Sequence, residues 1–118
     1  MGSVRAGRVY DEPRPEDGRR VLVDRLWPRG LRKDEALLDD WPRDLTPSTA
    51  LRQWYHAHPD AFDEFRTRYL AELGEPEAAQ ALDRVRAATA DGDVVLLSAS
   101  RSLDQSHVSV LLEVLRPS

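Results

Sequence analysis

Arginines and hydroxyl groups follow two predicted strands at the points where those strands end. Asp24, Arg25 and the segment 26–30, Leu-Trp-Pro-Arg-Gly, come after one strand, and the loop 98–102, Ser-Ala-Ser-Arg-Ser, comes after the other. Guanidinium groups bind phosphate and carboxylate through paired hydrogen bonds. A helix is predicted after the second loop, and the free N–H groups at its start favour an anion. These segments therefore predict a site for phosphate, sulfate or carboxylate.

This site requires parallel strands, since the carboxyl ends of parallel strands lie at one edge of a sheet and open α/β sheets bind ligands there. Tyr10 ends a third short predicted strand and belongs to the same edge. We expect the arginines to neutralise the ligand and the aromatic rings to form walls. The predicted ligand-binding residues are Tyr10, Arg25, Trp27, Arg29, Ser98, Ser100 and Arg101.

A purely structural interpretation of the same residues is also open. Serines before a helix commonly cap it, and Arg101 could be an ordinary surface cation. Trp27 could form a corner of the core, with Arg25 paired to Asp24 or to a helix carboxylate. The functional alternative is an aromatic and arginine cradle for a planar or phosphorylated ligand.

Asp24 and His107 are the first candidates for catalysis, because a carboxylate and an imidazole at one edge could move protons. The nearby serines have no evident base other than His107, and the sequence contains neither a Gly-x-Ser-x-Gly elbow nor a Gly-x-Gly-x-x-Gly motif. His56 and His58 are two residues apart and do not share a helix face. We expect no metal ion and no cofactor, and the residue types leave open whether the protein is an enzyme.

Two short apolar segments predict strands that are buried on both faces, Arg20–Asp24 and Val94–Leu97. A helical region separates them, which favours a parallel crossover over the alternative antiparallel pair. The predicted fold class is α/β: a small single domain with a short, mainly parallel sheet flanked by helices. The other predicted elements are a strand at Arg8–Tyr10, a helical turn at 33–38, a helix capped by Thr46, a helix ending at Gly74, a helix opening at Pro76, and a helix from about Leu103 to Leu115.

Length and composition indicate one globular domain over residues 1–118, in which residues 1–6 form a flexible N-terminus. The chain contains no cysteine, which excludes disulfides, thiolate catalysis and Cys-ligated zinc. It contains no apolar run close to the roughly 20 residues of a membrane helix, and its first residues contain no apolar signal core. We therefore expect a cytoplasmic protein with no membrane partner.

Charge is distributed unevenly along the chain. Residues 1–33 contain 9 basic and 5 acidic side chains, a net charge of +4, whereas residues 34–118 carry a net charge of −8. One alternative function is therefore a nucleic-acid-associated module that uses the basic N-terminal third, although an acidic chain is a poor non-specific binder of nucleic acid. A second alternative is a protein-interaction domain without a ligand site, which would bury Trp41 or Trp54 against a partner.

Several motifs along the chain are typical of one bacterial family. The most specific is Val21–Gly30, and the others are Arg8-Val9-Tyr10-Asp11, Trp41, Pro47-Ser48, Leu51-Arg52-x-Trp54, Phe65-x-x-Arg68-Tyr69-x-x-Glu72-Leu73 and Leu96-Leu97. With these motifs the chain, from about residue 7 to residue 115, resembles the YeaO-like family, domain of unknown function 488. The resemblance implies a small cytoplasmic α/β protein and assigns no activity to it.

The loop after the last strand departs from the pattern of that family. Relatives usually have a tyrosine, two small residues, a lysine or arginine and then an aspartate, where this chain has Ser98 to Ser102. Relatives often have an asparagine where Ser106 precedes His107. Arg101 and His107 thus have the residue types of the family pattern. The tyrosine and the aspartate of that pattern are replaced by Ser98 and Ser102. If this loop carries catalysis in relatives, its composition here argues against catalysis.

Overall fold

A computed structural model describes residues 2–116 and contains three strands and five α-helices. The strands are β1 (Val4–Arg8), β2 (Arg19–Leu22) and β3 (Val94–Ser98). The helices are α1 (Lys33–Ala36), α2 (Thr49–Ala57), α3 (Phe62–Leu73), α4 (Pro76–Asp91) and α5 (His107–Leu115). Two 3-10 helices, Pro15–Asp17 and Arg43–Leu45, lie in the connections.

The sheet has the strand order β1-β3-β2, and both pairs of neighbouring strands are parallel. β1 pairs with β3 from Val4 opposite Val94 to Arg8 opposite Ser98, and β2 pairs with β3 up to Leu22 opposite Leu97. All three strands therefore end at the same edge. This arrangement confirms the predicted α/β class and excludes the antiparallel alternative.

The central strand β3 is buried on both faces because successive side chains point to opposite sides of the sheet. Val94 and Leu96 belong to the larger core, which includes buried residues of α2 to α5. Val95 and Leu97 belong to a smaller core on the other face, with Trp27 and other residues of the segment 27–41 packed against it. A strand with two covered faces explains the continuous apolar pattern of its sequence.

Helix α2 is capped by Ser48, not by Thr46 as predicted. The Ser48 hydroxyl oxygen accepts a hydrogen bond from the backbone N–H of Leu51 at 3.1 Å, and the hydroxyl donates to Glu72 of α3 at 2.6 Å. The hydroxyl of Thr46 instead donates to the Arg43 carbonyl at 2.7 Å. A partner on another helix thus decided which of two neighbouring hydroxyls caps α2.

Predicted element boundaries were wrong at several places. The predicted strand Arg20–Asp24 is Arg19–Leu22, and the helical turn predicted at 33–38 ends at Ala36. The two largest differences are at β1 and α5. The first strand is Val4–Arg8 rather than Arg8–Tyr10, so residues 4–6, expected to be flexible, are strand residues, held by pairing with β3. Met1 lies outside the described residues.

The last helix begins at His107 rather than near Leu103. The Ser106 side chain accepts a hydrogen bond from the Val108 N–H at 3.1 Å and donates one to the Leu103 carbonyl at 2.9 Å. The opening of α4 at Pro76 was predicted correctly.

Across residues 2–116, none of the helices combines the length and the apolar character that crossing a membrane requires.

Candidate functional site

A cavity of about 720 Å³ lies at the carboxyl edge of the sheet, and we call it the carboxyl-edge cavity. Its walls come from the segment 24–29 after β2, the segment 99–107 between β3 and α5, one face of α2, and Tyr10 after β1. Parallel strands place their C-terminal loops at one edge, and for this reason segments distant in sequence line a single cavity.

Asp24 joins the segment after β2 to the end of β3 and to the start of α5 through its carboxylate. Oδ1 accepts from the Ser98 hydroxyl at 2.7 Å and lies 3.0 Å from Nε2 of His107. Oδ2 accepts from the backbone N–H of Ala99 at 2.8 Å. The carboxylate thus fixes the end of β2 to the end of β3 and to the first residue of α5.

Asp24 is ionised at neutral pH. Burial by itself raises the pKa of this carboxyl, but the hydrogen bond and charge of His107, with the donors of Ala99 and Ser98, bring the pKa below its ordinary value of 3.8. A carboxylate can only accept hydrogen bonds, so Nε2 of His107 carries the proton that faces it. In the neutral ring, Nδ1 is then the nitrogen with a free lone pair.

The two catalytic candidates, Asp24 and His107, are therefore in direct contact. Ser98 binds the aspartate and not the histidine, and within residues 2–116 no hydroxyl is hydrogen-bonded to the His107 ring. A serine nucleophile activated by histidine requires that missing bond. The dyad is arranged to hold three segments together and to present an imidazole to the cavity.

Arg25 is held at the cavity wall by main-chain groups. Its Nε donates to the Pro47 carbonyl at 3.0 Å, and a terminal nitrogen donates to the Thr46 carbonyl at 3.4 Å. Among the described residues, Arg25 pairs with neither Asp24 nor a helix carboxylate, so that alternative was wrong. Hydrogen bonds to carbonyls orient the guanidinium without neutralising its charge.

The Trp27 ring lines the cavity and also packs on the smaller core. Its indole N–H donates to the Leu31 carbonyl at 2.7 Å, and its ring meets that of Trp41 edge-on at 5.4 Å. The Trp41 indole N–H donates to the Asp24 carbonyl at 2.6 Å. These bonds fix the loop that contains Arg29, whose own carbonyl accepts from the Tyr10 hydroxyl at 2.8 Å.

Helix α2 contributes cavity residues that the sequence analysis did not assign to the site. Arg52, Gln53, Tyr55 and His56 all line the cavity. The positions 52, 55 and 56 share one helix face through i,i+3 and i,i+4 spacing, and this is the signal that could have identified them. His58, the C-cap of α2, does not line the cavity and instead stacks on Trp54 at 4.7 Å. His56 and His58 thus have different surroundings.

Two of the predicted ligand-binding residues do not line the cavity. Ser98 is fully buried and bound to Asp24, and Arg101 is exposed to solvent elsewhere. Tyr10, Arg25, Trp27, Arg29 and Ser100 do line it, together with Asp24 and His107.

The cavity is locally basic although the whole chain has a net charge of −4. Arg25, Arg29 and Arg52 line it, and among residues 2–116 Asp24 is the only carboxylate in its wall. In the part of the chain that the structure describes, no carboxylate oxygen lies within 4.0 Å of these three guanidiniums. Over the same residues no group of three or more metal-ligating side chains is present.

Comparison with known proteins identifies relatives along nearly the whole chain. A family described as "Inactive DUF488-N3 subclade" matches residues 3–118. Uncharacterized proteins of Mycobacterium tuberculosis and Mycobacterium bovis are each 45% identical over 112 residues, 95% of this chain and 92% of the relative. The uncharacterized protein YeaO of Escherichia coli is 40% identical over 114 residues, 97% of each chain. No solved structure matches. The chain therefore belongs to the YeaO-like DUF488 family, in the subclade described as inactive.

Proposed function

We propose that this protein binds a small anionic ligand, through a phosphate-like or carboxylate group, in the carboxyl-edge cavity. The main observation behind the proposal is the environment of three guanidiniums, those of Arg25, Arg29 and Arg52. All three line one cavity, and none has a carboxylate within 4.0 Å among residues 2–116. Guanidinium groups without an internal counter-ion favour an anion from solution.

Guanidiniums outnumber the Asp24 carboxylate in the cavity wall. The oxygens of Asp24 accept hydrogen bonds from Ser98, Ala99 and His107 and are thus engaged within the fold. The Ser100 hydroxyl and the His107 ring add polar groups to the wall. Their presence supports a site in which charge-assisted bonds come from arginine, an acceptor oxygen of the ligand meets the Ser100 hydroxyl, and Nδ1 of the neutral His107 ring accepts from a protonated oxygen of the ligand.

Binding without chemical conversion is the form of this function that we favour. The matching subclade is described as inactive, and His107 has no hydroxyl partner within residues 2–116. The imidazole is bound to Asp24, which is itself bound to Ser98. These features support a fixed wall for the ligand more than a nucleophile and its base.

Isothermal titration with inorganic phosphate and pyrophosphate at low ionic strength tests the proposal. We expect saturable binding, and a rise of the unfolding temperature with ligand concentration. Arg52→Gln should weaken binding about tenfold, because a hydrogen bond between charged groups is lost. Arg101→Gln is the matched control, since it removes the same charge from an exposed position that does not line the cavity.

Two results would overturn the proposal. One is the absence of saturable binding for both anions at millimolar concentration in the unmodified protein. The other is an equal loss of affinity in Arg101→Gln and Arg52→Gln, which would indicate a general effect of net charge.

A further inference from the structure

We infer that the ligand of the carboxyl-edge cavity is an aromatic phosphate, in which a flat ring is joined directly to the anionic group. This inference depends on the proposed function and adds the chemical class of the ligand. Its first support is size. A volume of about 720 Å³ falls within the roughly 300–1,000 Å³ typical of cavities that bind organic ligands, and a bare oxyanion occupies only a small part of it.

The second support is the aromatic lining of the cavity. Tyr10, Trp27, Tyr55 and Phe65 all contribute to its wall. Tyr55 stacks on Phe65 with ring centroids 4.3 Å apart and planes 18° apart, so its ring is supported from behind by a buried ring. Rigid aromatic surfaces of this kind bind flat ligands at a low cost in conformational entropy.

The polar ends of these rings are already bonded within the protein. The Tyr55 hydroxyl donates to the Gln105 carbonyl at 2.8 Å, and burial raises its pKa above the ordinary value of 10.0, which keeps the proton on the donor. The Trp27 indole N–H donates to Leu31 at 2.7 Å, and the Tyr10 hydroxyl donates to Arg29 at 2.8 Å. With their donors engaged, the rings offer a ligand mainly their faces and edges, which suit an apolar or aromatic body.

The third support is the pairing of rings with cations along the chain. Trp27 lies between Arg25 and Arg29 in one loop. Arg52 and Tyr55 are three residues apart on α2, a spacing that puts their side chains on neighbouring turns of one face. Each of these two segments thus contributes both an aromatic ring and a guanidinium to the cavity wall. This pairing favours a ligand whose ring and anionic group are joined directly.

The test compares ligands that share the anionic group and differ in the attached body. Binding of inorganic phosphate, ethyl phosphate, cyclohexyl phosphate and phenyl phosphate to the unmodified protein is measured by titration calorimetry. We expect phenyl phosphate to bind at least about tenfold more tightly than ethyl phosphate, because stacking adds to the bonds with arginine. We also expect it to bind more tightly than cyclohexyl phosphate, which is of similar size but is not flat.

Two variants locate the effect at Tyr55. Tyr55→Leu should reduce the advantage of phenyl over ethyl phosphate, whereas Tyr55→Phe keeps the ring and should retain it. Equal affinity of phenyl, cyclohexyl and ethyl phosphate for the unmodified protein would overturn the aromatic class while leaving anion binding intact. Failure of every phosphate to bind would overturn the proposed function itself. The ligand series on the unmodified protein decides the question even if Tyr55→Leu does not fold.

Discussion

Two groups of arginines lie at opposite ends of the same sheet and have opposite environments. At the amino end of β2, Arg5 and Arg20 both pair with Asp17, and we call these three residues the Asp17 cluster. At the carboxyl edge, Arg29 and Arg52 line the cavity. Neither guanidinium has a carboxylate oxygen within 4.0 Å among residues 2–116. The residue type is the same, so the difference comes from what the fold places beside each guanidinium.

The Asp17 cluster is internally satisfied. Arg20 and Asp17 are only 6% and 5% exposed, and a terminal nitrogen of Arg20 lies 2.7 Å from Oδ2 of Asp17. The remaining donors of Arg20 bind the carbonyls of Ala36 and Leu37 at 3.0–3.2 Å. The Arg14 backbone N–H, with the side chains of Arg5 and Arg20, lowers the pKa of Asp17 against the effect of burial. Each nitrogen of the Arg20 guanidinium is therefore engaged within the fold, and the Asp17 carboxylate is shared between two arginines.

The comparison teaches that an arginine-rich sequence does not by itself indicate a binding site. Buried pairs with every donor engaged contribute to folding and specificity, and exposed guanidiniums facing a cavity are available for an anion. Each group can be perturbed separately, and the expected effects on stability differ in size.

The largest effect on stability is expected from Asp17→Ala. It removes the carboxylate that Arg5 and Arg20 share and leaves a buried guanidinium without its counter-ion. We expect a loss of about 3 kcal/mol in the free energy of unfolding, measured by urea denaturation at neutral pH. Asp34→Ala is the control, because Asp34 and its partner Arg32 are both 70% exposed and such pairs contribute less than about 1 kcal/mol. Equal losses in the two variants would show that the Asp17 cluster is not structural.

The next largest effect is expected from Asp24→Asn, and this effect depends on pH. At neutral pH the variant weakens the bonds that join β2, β3 and α5, for a loss of about 2 kcal/mol. The folded-state pKa of Asp24 is below its ordinary value of 3.8, so the stability it contributes is present above that value and is lost as pH falls through the folded-state pKa. Urea denaturation over a series from about pH 7 to about pH 3 should show the two proteins converging in stability at the acid end. A difference that stays constant over this range would contradict the assignment.

A smaller effect is expected from Ser98→Ala. The Ser98 hydroxyl is fully buried and donates to Asp24 at 2.7 Å, so its loss should cost about 1 kcal/mol of unfolding free energy. Ser102→Ala is the matched control in the same loop, since Ser102 is exposed and should be neutral. Thermal unfolding of the two variants measures the difference. If both are neutral, the contact between the two strand ends contributes nothing to folding.

The smallest effect on stability is expected from Arg52→Gln, which sharpens the contrast between the two arginine groups. Arg52 is exposed and has no carboxylate partner among the described residues, so its replacement should change the free energy of unfolding by less than about 0.5 kcal/mol. Arg20→Gln makes the same change of residue type in the buried cluster and should destabilise the protein severalfold more. Urea denaturation compares them, and similar losses would show that the two groups do not differ in role.

Much of the secondary structure could be predicted because it depends on local pattern. The apolar run of β3, the opening of α4 at Pro76 and the glycine that follows α3 are signals within a few residues of the element. The errors at β1 and at the cap of α2 depend on distant partners, whereas the start of α5 is set locally by Ser106. β1 is defined by pairing with β3, and the cap of α2 is decided by Glu72 of α3.

The candidate site could be predicted only in outline. Parallel strands placed Asp24 and the segment after β3 at one edge, as expected, and brought His107 into contact with that aspartate. Arg101 was expected in the site and lies outside the cavity, while Arg52 was not expected there and lines it. The spacing along α2 shows only that Arg52 shares a helix face with Tyr55 and His56. The orientation of the loop and of that helix decides which residues face the cavity.

The sequence by itself indicated the α/β class, because a short apolar run covered on both faces is typical of a parallel sheet with layers on either side. The structure excluded the antiparallel alternative. The sequence also determined that arginines and an ionisable pair follow the strand ends. Only the tertiary structure decided which arginines are neutralised and which are free. A guanidinium takes its role from the carboxylates within a few ångströms of it, and those come from segments far away in the chain.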